Sequence, residues 1–166
     1  MQWSQLKTQL KARIATSVAG MIDFHQTRYR HSHDQEGEFW ITLGKEQIFN
    51  AGSLSYLSTL SDVVSGHRAN GATVGEAYAR AWPEVDAKGF MLLEAVNKDL
   101  FSSLSMTVEE MLEHCNPVVQ ALAIVDSRYG KRRLAAFDPA NQSALVQRFF
   151  YLRCEAESIK PPAPRQ

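Results

Sequence analysis

The stretch FHQTRYRHSHDQEGEFWITL, Phe24 to Leu43, gathers His25, His31, His33, Asp34, Glu36 and Glu38 between flanks rich in aromatic and β-branched residues. Imidazoles and carboxylates at this density are the material of a metal site, and zinc takes three or four nitrogen, sulfur or oxygen ligands at roughly 2 Å. His31 and His33 stand two apart, so an extended backbone puts them on one face. Asp34, Glu36 or Glu38 would add the carboxylate. His25 is harder to recruit, because six residues of strand at about 3.3 Å each hold it roughly 20 Å from His31. A second reading needs no chemistry. Arg28 and Arg30 on the outgoing strand face Glu36 and Glu38 on the return, and such cross-strand pairs contribute about 0.2–1 kcal/mol each. The sequence favours this reading: a solvated hairpin tip that doubles as a partner-recognition surface. The alternative is a metal-dependent hydrolase built on His31, His33 and Asp34.

Other constellations are weaker. His114 and Cys115 are adjacent, but neighbouring helical side chains diverge by about 100° and do not face each other. Cys115 falls on an apolar stripe with Val108, Met111 and Leu112, which predicts a buried, inert thiol; Cys154 reads the same way. The two cysteines form no CxxC pattern and no disulfide framework, as expected of free thiols in a reducing compartment. RYGKRR places Arg128, Lys131, Arg132 and Arg133 after a predicted helix. A small phosphate- or RNA-binding patch is one use of such a cluster. Complementing the negative end of the helix dipole is another, and only Tyr129 is interleaved for stacking. NGATVGE precedes a helix but lacks the GxxxxGK[ST] pattern of a nucleotide loop. GxSxG, HExxH and GxGxxG are absent. Asp62, Glu84, Asp86 and Asp126 would pair only through tertiary folding. No catalytic residue and no cofactor is assigned.

The elements that must position these residues are mostly helical. Trp3, Leu6, Leu10, Ile14 and Val18 recur at helical spacing, which predicts a first helix over about 5–18, capped by Ser4 and ended by Gly20. The period then drops to two. Ile22 and Phe24 share one face, and Phe39, Ile41 and Leu43 continue it, leaving His25, Tyr29 and Trp40 opposite. His25 faces Trp40 or Thr42 across the sheet as a half-buried residue. Gly44-Lys45 suits a two-residue turn into a third strand over 46–50.

Helices follow. One covers 54–65. The next opens with the capping box Thr73–Glu76 and buries Val74, Ala77, Tyr78, Ala81 and Trp82 until Pro83 interrupts it. A further helix covers 91–104. Thr107–Glu110 is a second capping box. Asn116-Pro117 starts a nearly all-apolar helix ended by Gly130. Asp138-Pro139 begins the last helix. The class is α+β: an N-terminal helix, a small three-stranded antiparallel sheet, then five or six helices.

The chain has 166 residues, 45% hydrophobic and 22% charged, which suits a single domain over 1–158 with a proline-rich tail over 159–166. Eighteen basic residues balance eighteen acidic ones, so no long-range field draws the chain to nucleic acid or anionic lipid. No run of about 18 apolar residues predicts a membrane span, and the N-terminus has no signal-peptide pattern. The blocks WSQLK, FHQTRYRHSHDQEGEFWIT and ALAIVDSRYGKRRL together resemble a small family of uncharacterised bacterial proteins sharing WSxLK and FHxTxYRHxHDxEGxxWIT-like blocks. The resemblance implies a bacterial, cytoplasmic protein and carries over no functional residue. The reading is a non-enzymatic module that binds another protein through His25, Tyr29, Arg30, His31, His33, Asp34 and Trp40. Aromatics beside arginine are the side chains that anchor interfaces. Self-association stays open.

Overall fold

The computed structural model describes residues 2–29 and 36–162. In chain order these form α1 (Trp3–Arg13), β1 (Ile22–Arg28), β2 (Gly37–Leu43), β3 (Glu46–Gly52), α2 (Ser53–Ala69), α3 (Val74–Ala87), α4 (Leu93–Ser103), α5 (Val108–Leu112), α6 (Pro117–Val125), α7 (Lys131–Ala136) and α8 (Ala144–Ala156). The strands make an antiparallel meander in the order β1-β2-β3, and the α+β class is as the sequence predicts. Gly44 takes the left-handed φ of +56° that the β2–β3 turn requires. The chain divides into two compact units. The first is Met1–Phe24, Ile41–Phe49 and Asn97–Gln166; the second is His25–Trp40 and Asn50–Val96.

In the first unit α6 is apolar around its circumference, with Val118, Val119 and Ala121 to Val125 all buried. α8 packs against it through Leu145, Val146, Phe149, Phe150 and Cys154. The Asn116 side chain accepts from the Val118 amide at 2.9 Å, so the predicted cap with proline behind it is present. The C-terminal ends of α1 and α6 differ from expectation for one reason. α1 stops at Arg13 instead of continuing to residue 18, because Ile14 turns extended (φ −66°, ψ 135°) and bridges Asp126. The Ala15 amide donates to the Val125 carbonyl at 2.8 Å, and the Ser127 amide to the Arg13 carbonyl at 2.7 Å. The same exchange ends α6 at Val125, short of Gly130.

Arg153 completes that end. It is 3% exposed, and its guanidinium donates to the carbonyls of Ile124 (2.6 Å), Asp126 (2.8 Å) and Tyr129 (2.6 Å) and to the Glu157 carboxylate (2.9 Å). The last carbonyls of a helix have no partner of their own; here a buried side chain supplies one. Gly130 becomes the N-cap of α7 instead. The last helix starts later than Asp138-Pro139 suggests, capped by the Ser143 hydroxyl, which accepts from the Val146 amide at 3.4 Å.

In the second unit α2 and α3 form a helical hairpin. Tyr56, Leu60 and Val64 meet Ala77, Ala81 and Val85, with Phe90 and Leu92 packed alongside. The Thr73 capping box is present in both directions: the hydroxyl accepts from the Glu76 amide at 3.4 Å, and the Glu76 carboxylate accepts from the Thr73 amide at 2.9 Å. The predicted buried face of α3 is corrected. Only Ala77, Ala81 and Val85 are inside, while Val74, Tyr78 and Trp82 are 53%, 40% and 51% exposed. Two alanines let the helices approach closely, and a bulky ring there would push them apart. Pro83 does not end the helix, which runs on to Ala87.

Candidate functional site

The meander alternates as the sequence predicts. Ile22, Phe24, Phe39 and Ile41 are buried, and His25, Trp40 and Thr42 on the opposite face are half-buried. Across that face the His25 imidazole lies flat on the Trp40 indole, with ring centroids 5.2 Å apart and planes 9° from parallel. Such stacking combines dispersion with the area that the indole removes from water. One residue past β1, the Tyr29 amide donates to the Glu36 carbonyl at 2.8 Å, so the ladder continues toward the tip. The Tyr29 ring is 37% exposed. Desolvation and the hydroxyl's bond to the Glu38 carboxylate both push its ionisation above the ordinary phenol value. The sequence signals Glu38 as the partner of Tyr29 only through its place on the return strand.

Gly37 explains how the second unit closes around this hairpin. A methyl there would overlap the Thr27 carbonyl oxygen and would lie 2.8 Å from Leu93 Cδ2. Only a residue without Cβ allows that approach.

Of the seven residues read as a contact surface, the structure brings together His25 and Trp40 and places Tyr29 on the ladder beyond them. Arg30, His31, His33 and Asp34 fall outside the described residues, and with them the ligands of the metal alternative. Among the described residues no group of three His, Cys, Asp or Glu is placed to hold a metal ion.

The basic cluster differs from its expected setting. Lys131, Arg132 and Arg133 open α7 instead of trailing a helix, so the dipole argument reverses: cations sit at the positive end. Acidic and carbonyl partners offset this. Arg128 grips buried Asp126 with two bonds (Nε to Oδ1 3.0 Å, Nη2 to Oδ2 2.7 Å) and donates to the Met106 carbonyl at 3.0 Å. That carboxylate holds the Arg128 guanidinium more firmly protonated than usual. Arg133 pairs with Glu109, donates to the Arg128 carbonyl at 2.8 Å, and lies over the Tyr129 ring with its guanidinium carbon 4.9 Å from the centroid. Lys131 reaches the Glu157 carbonyl at 3.5 Å.

The remaining candidates have local roles. Cys115 is exposed, which corrects the buried reading: α5 ends at Leu112, before the predicted stripe can include it. His114 Nδ1 instead accepts from the Asn116 amide at 3.0 Å. Cys154 is buried as expected, and that burial pushes its thiol up. Glu84 pairs with His67 at 2.8 Å, and Asp86 accepts from the Tyr56 hydroxyl at 3.3 Å. Among the described residues no helix is long and apolar enough to cross a membrane.

Fold and surface define a mostly helical α+β protein with a small meander whose outer face carries stacked rings. The sequence profile of the SF0329 protein family matches residues 2–154, and the chain belongs to that family. No match was found among curated proteins or among solved structures.

Proposed function

We propose that this chain is a non-enzymatic protein-binding module of the bacterial cytoplasm, with the outer sheet face and the 30–38 loop as its contact surface. The observation that carries the reading is the His25–Trp40 stack with Tyr29 along the same hairpin. Large rings held flat and half in water lose little conformational entropy on docking, and they are the residues on which binding energy concentrates. The cytoplasmic setting rests on the shared blocks and on two free thiols. The basic cluster supports a nucleic-acid role less well, because Arg128 and Arg133 already hold Asp126 and Glu109.

The test replaces Tyr29 with a photo-crosslinking phenylalanine analogue, using exposed Phe101 as the control position. One defined adduct from the Tyr29 position, lost when Trp40→Ala is added and absent from the control, is the expected result. Equal labelling from both positions, or adducts indifferent to Trp40→Ala, removes the basis for this surface.

A further inference from the structure

α8 carries two working faces. Leu145, Val146, Phe149, Phe150 and Cys154 point into the core of the first unit. Arg148, Tyr151, Leu152 and Glu155 follow the i, i+3, i+4, i+7 spacing of a second face. Together with residues 20–21 and 43–44 that second face bounds a groove of about 670 Å³. Its apolar surface comes from Met21, Leu43, Tyr151 and Leu152, and Met21 and Tyr151 remain 48% and 50% exposed. Two large apolar side chains left in water within one depression mark a docking surface better than scattered exposure does. The rim is open: a methyl added at Gly20 or Gly44 would meet nothing within 4 Å. A small molecule is normally enclosed over most of its surface, whereas an open groove suits a segment of chain.

Charge selects the occupant. Arg148, at one end of the face, is already paired with Glu46 at 2.6 Å. Glu155 lies seven residues on, roughly 10 Å along the helix, and makes no ion pair among the described residues. The groove therefore offers apolar contact plus one uncompensated anion. A two-fold pair of copies of this chain would need the same surface to present a free cation in return, and Arg148 is committed to Glu46.

We propose that this groove docks an amphipathic helical segment of another protein, its apolar side chains on Met21, Leu43, Tyr151 and Leu152 and a Lys or Arg meeting Glu155. The surface lies wholly in the first unit and stands independently of the sheet-face reading.

The test uses the full chain and fluorescein-labelled synthetic helical peptides, measured by fluorescence anisotropy. The peptides carry two leucines one turn apart and either Lys or Glu a further turn along. The Lys peptide is expected to bind saturably and the Glu peptide to bind about tenfold more weakly. Glu155→Lys should exchange that preference, a reversal that misfolding does not produce. Tyr151→Ala should weaken the Lys peptide by about tenfold. Absence of saturable binding, equal affinity for both peptides, or an unreversed preference in Glu155→Lys overturns the proposal. So does concentration-dependent self-association of the chain that Tyr151→Ala abolishes, since a second copy would then be the occupant.

Discussion

Replacing Arg153 with Met removes the side chain on which the end of α6 depends, and the cost follows from its bonds. Three carbonyls, those of Ile124, Asp126 and Tyr129, lose their donor, and the Glu157 carboxylate loses the guanidinium 2.9 Å away. Glu157 is itself 8% exposed along its side chain, and among the described residues it keeps the Ser17 hydroxyl at 2.9 Å as a donor, with the Lys131 charge acting on it from farther off. Removing one partner of a buried ion pair costs about 3–5 kcal/mol, because the survivor stays desolvated and unpaired. Met recovers some apolar packing, so about 3–5 kcal/mol in total is the expected loss. For a chain of this length that is a fall of roughly 6–20 °C in Tm. Arg153→Lys retains the charge but presents a single ammonium, which cannot serve three carbonyls and a carboxylate at once; its loss should be intermediate. Adding Glu157→Gln to Arg153→Met should restore part of the stability by discharging the stranded carboxylate.

Urea unfolding followed by circular dichroism, run as a double-mutant cycle, measures each step. The pH dependence gives a second reading. Burial pushes Glu157 up, but the Arg153 and Ser17 hydrogen bonds outweigh it and leave the carboxyl below its usual value. A lowered folded-state pKa contributes stability in full above the unfolded value of about 4.3, and the contribution is lost as pH falls through the lowered value. Wild type should therefore lose stability over that acidic window more steeply than Arg153→Met does. A loss below about 1 kcal/mol in Arg153→Met, or zero coupling to Glu157, would refute the reasoning.

Other substitutions probe separate features. Gly37→Ala sets a methyl against the Thr27 carbonyl oxygen and 3.1 Å from Arg28 Cα, so it should cost about 1–3 kcal/mol or more, read as a shifted denaturation midpoint. Asn116→Ala removes both the cap on Val118 and the 2.9 Å bond to Asp99, for an expected loss of about 1–2 kcal/mol by the same measurement. Asp23 is pushed up by burial, yet bonds from Lys7 and Lys11 and from the Phe24 amide hold it at about 2. Its contribution should be complete above about pH 4 and vanish toward pH 2; the site is part-exposed, so screening keeps it under about 1 kcal/mol, and Asp23→Asn should flatten that interval. Trp82→Ser should change stability by less than about 0.5 kcal/mol, because the ring is 51% exposed; a larger loss would restore it to the core of the α2–α3 hairpin.

What could be read from the sequence divides by the distance between partners. Both capping boxes, the Asn116-Pro117 start and the Gly44 turn rest on groups within three residues of each other, and all are present. The ends of α1 and α6 depend on Ile14 meeting Asp126 and on Arg153 reaching back to Ile124, and no local pattern announces either contact. The site follows the same division. Strand alternation places His25 and Trp40 on one face and predicts their half-burial, whereas Glu38 serving Tyr29 depends on register at the tip. The misjudged face of α3 shows why. Hydrophobic spacing marks a stripe that includes Val74, Tyr78 and Trp82, but a tight helical hairpin selects for small volume at its contact, so Ala77 and Ala81 take the inside. Ranking residues by apolar size therefore inverts inside from outside wherever two helices must approach closely. It is in such places that bulky rings are left in water, as Trp82 is in the second unit.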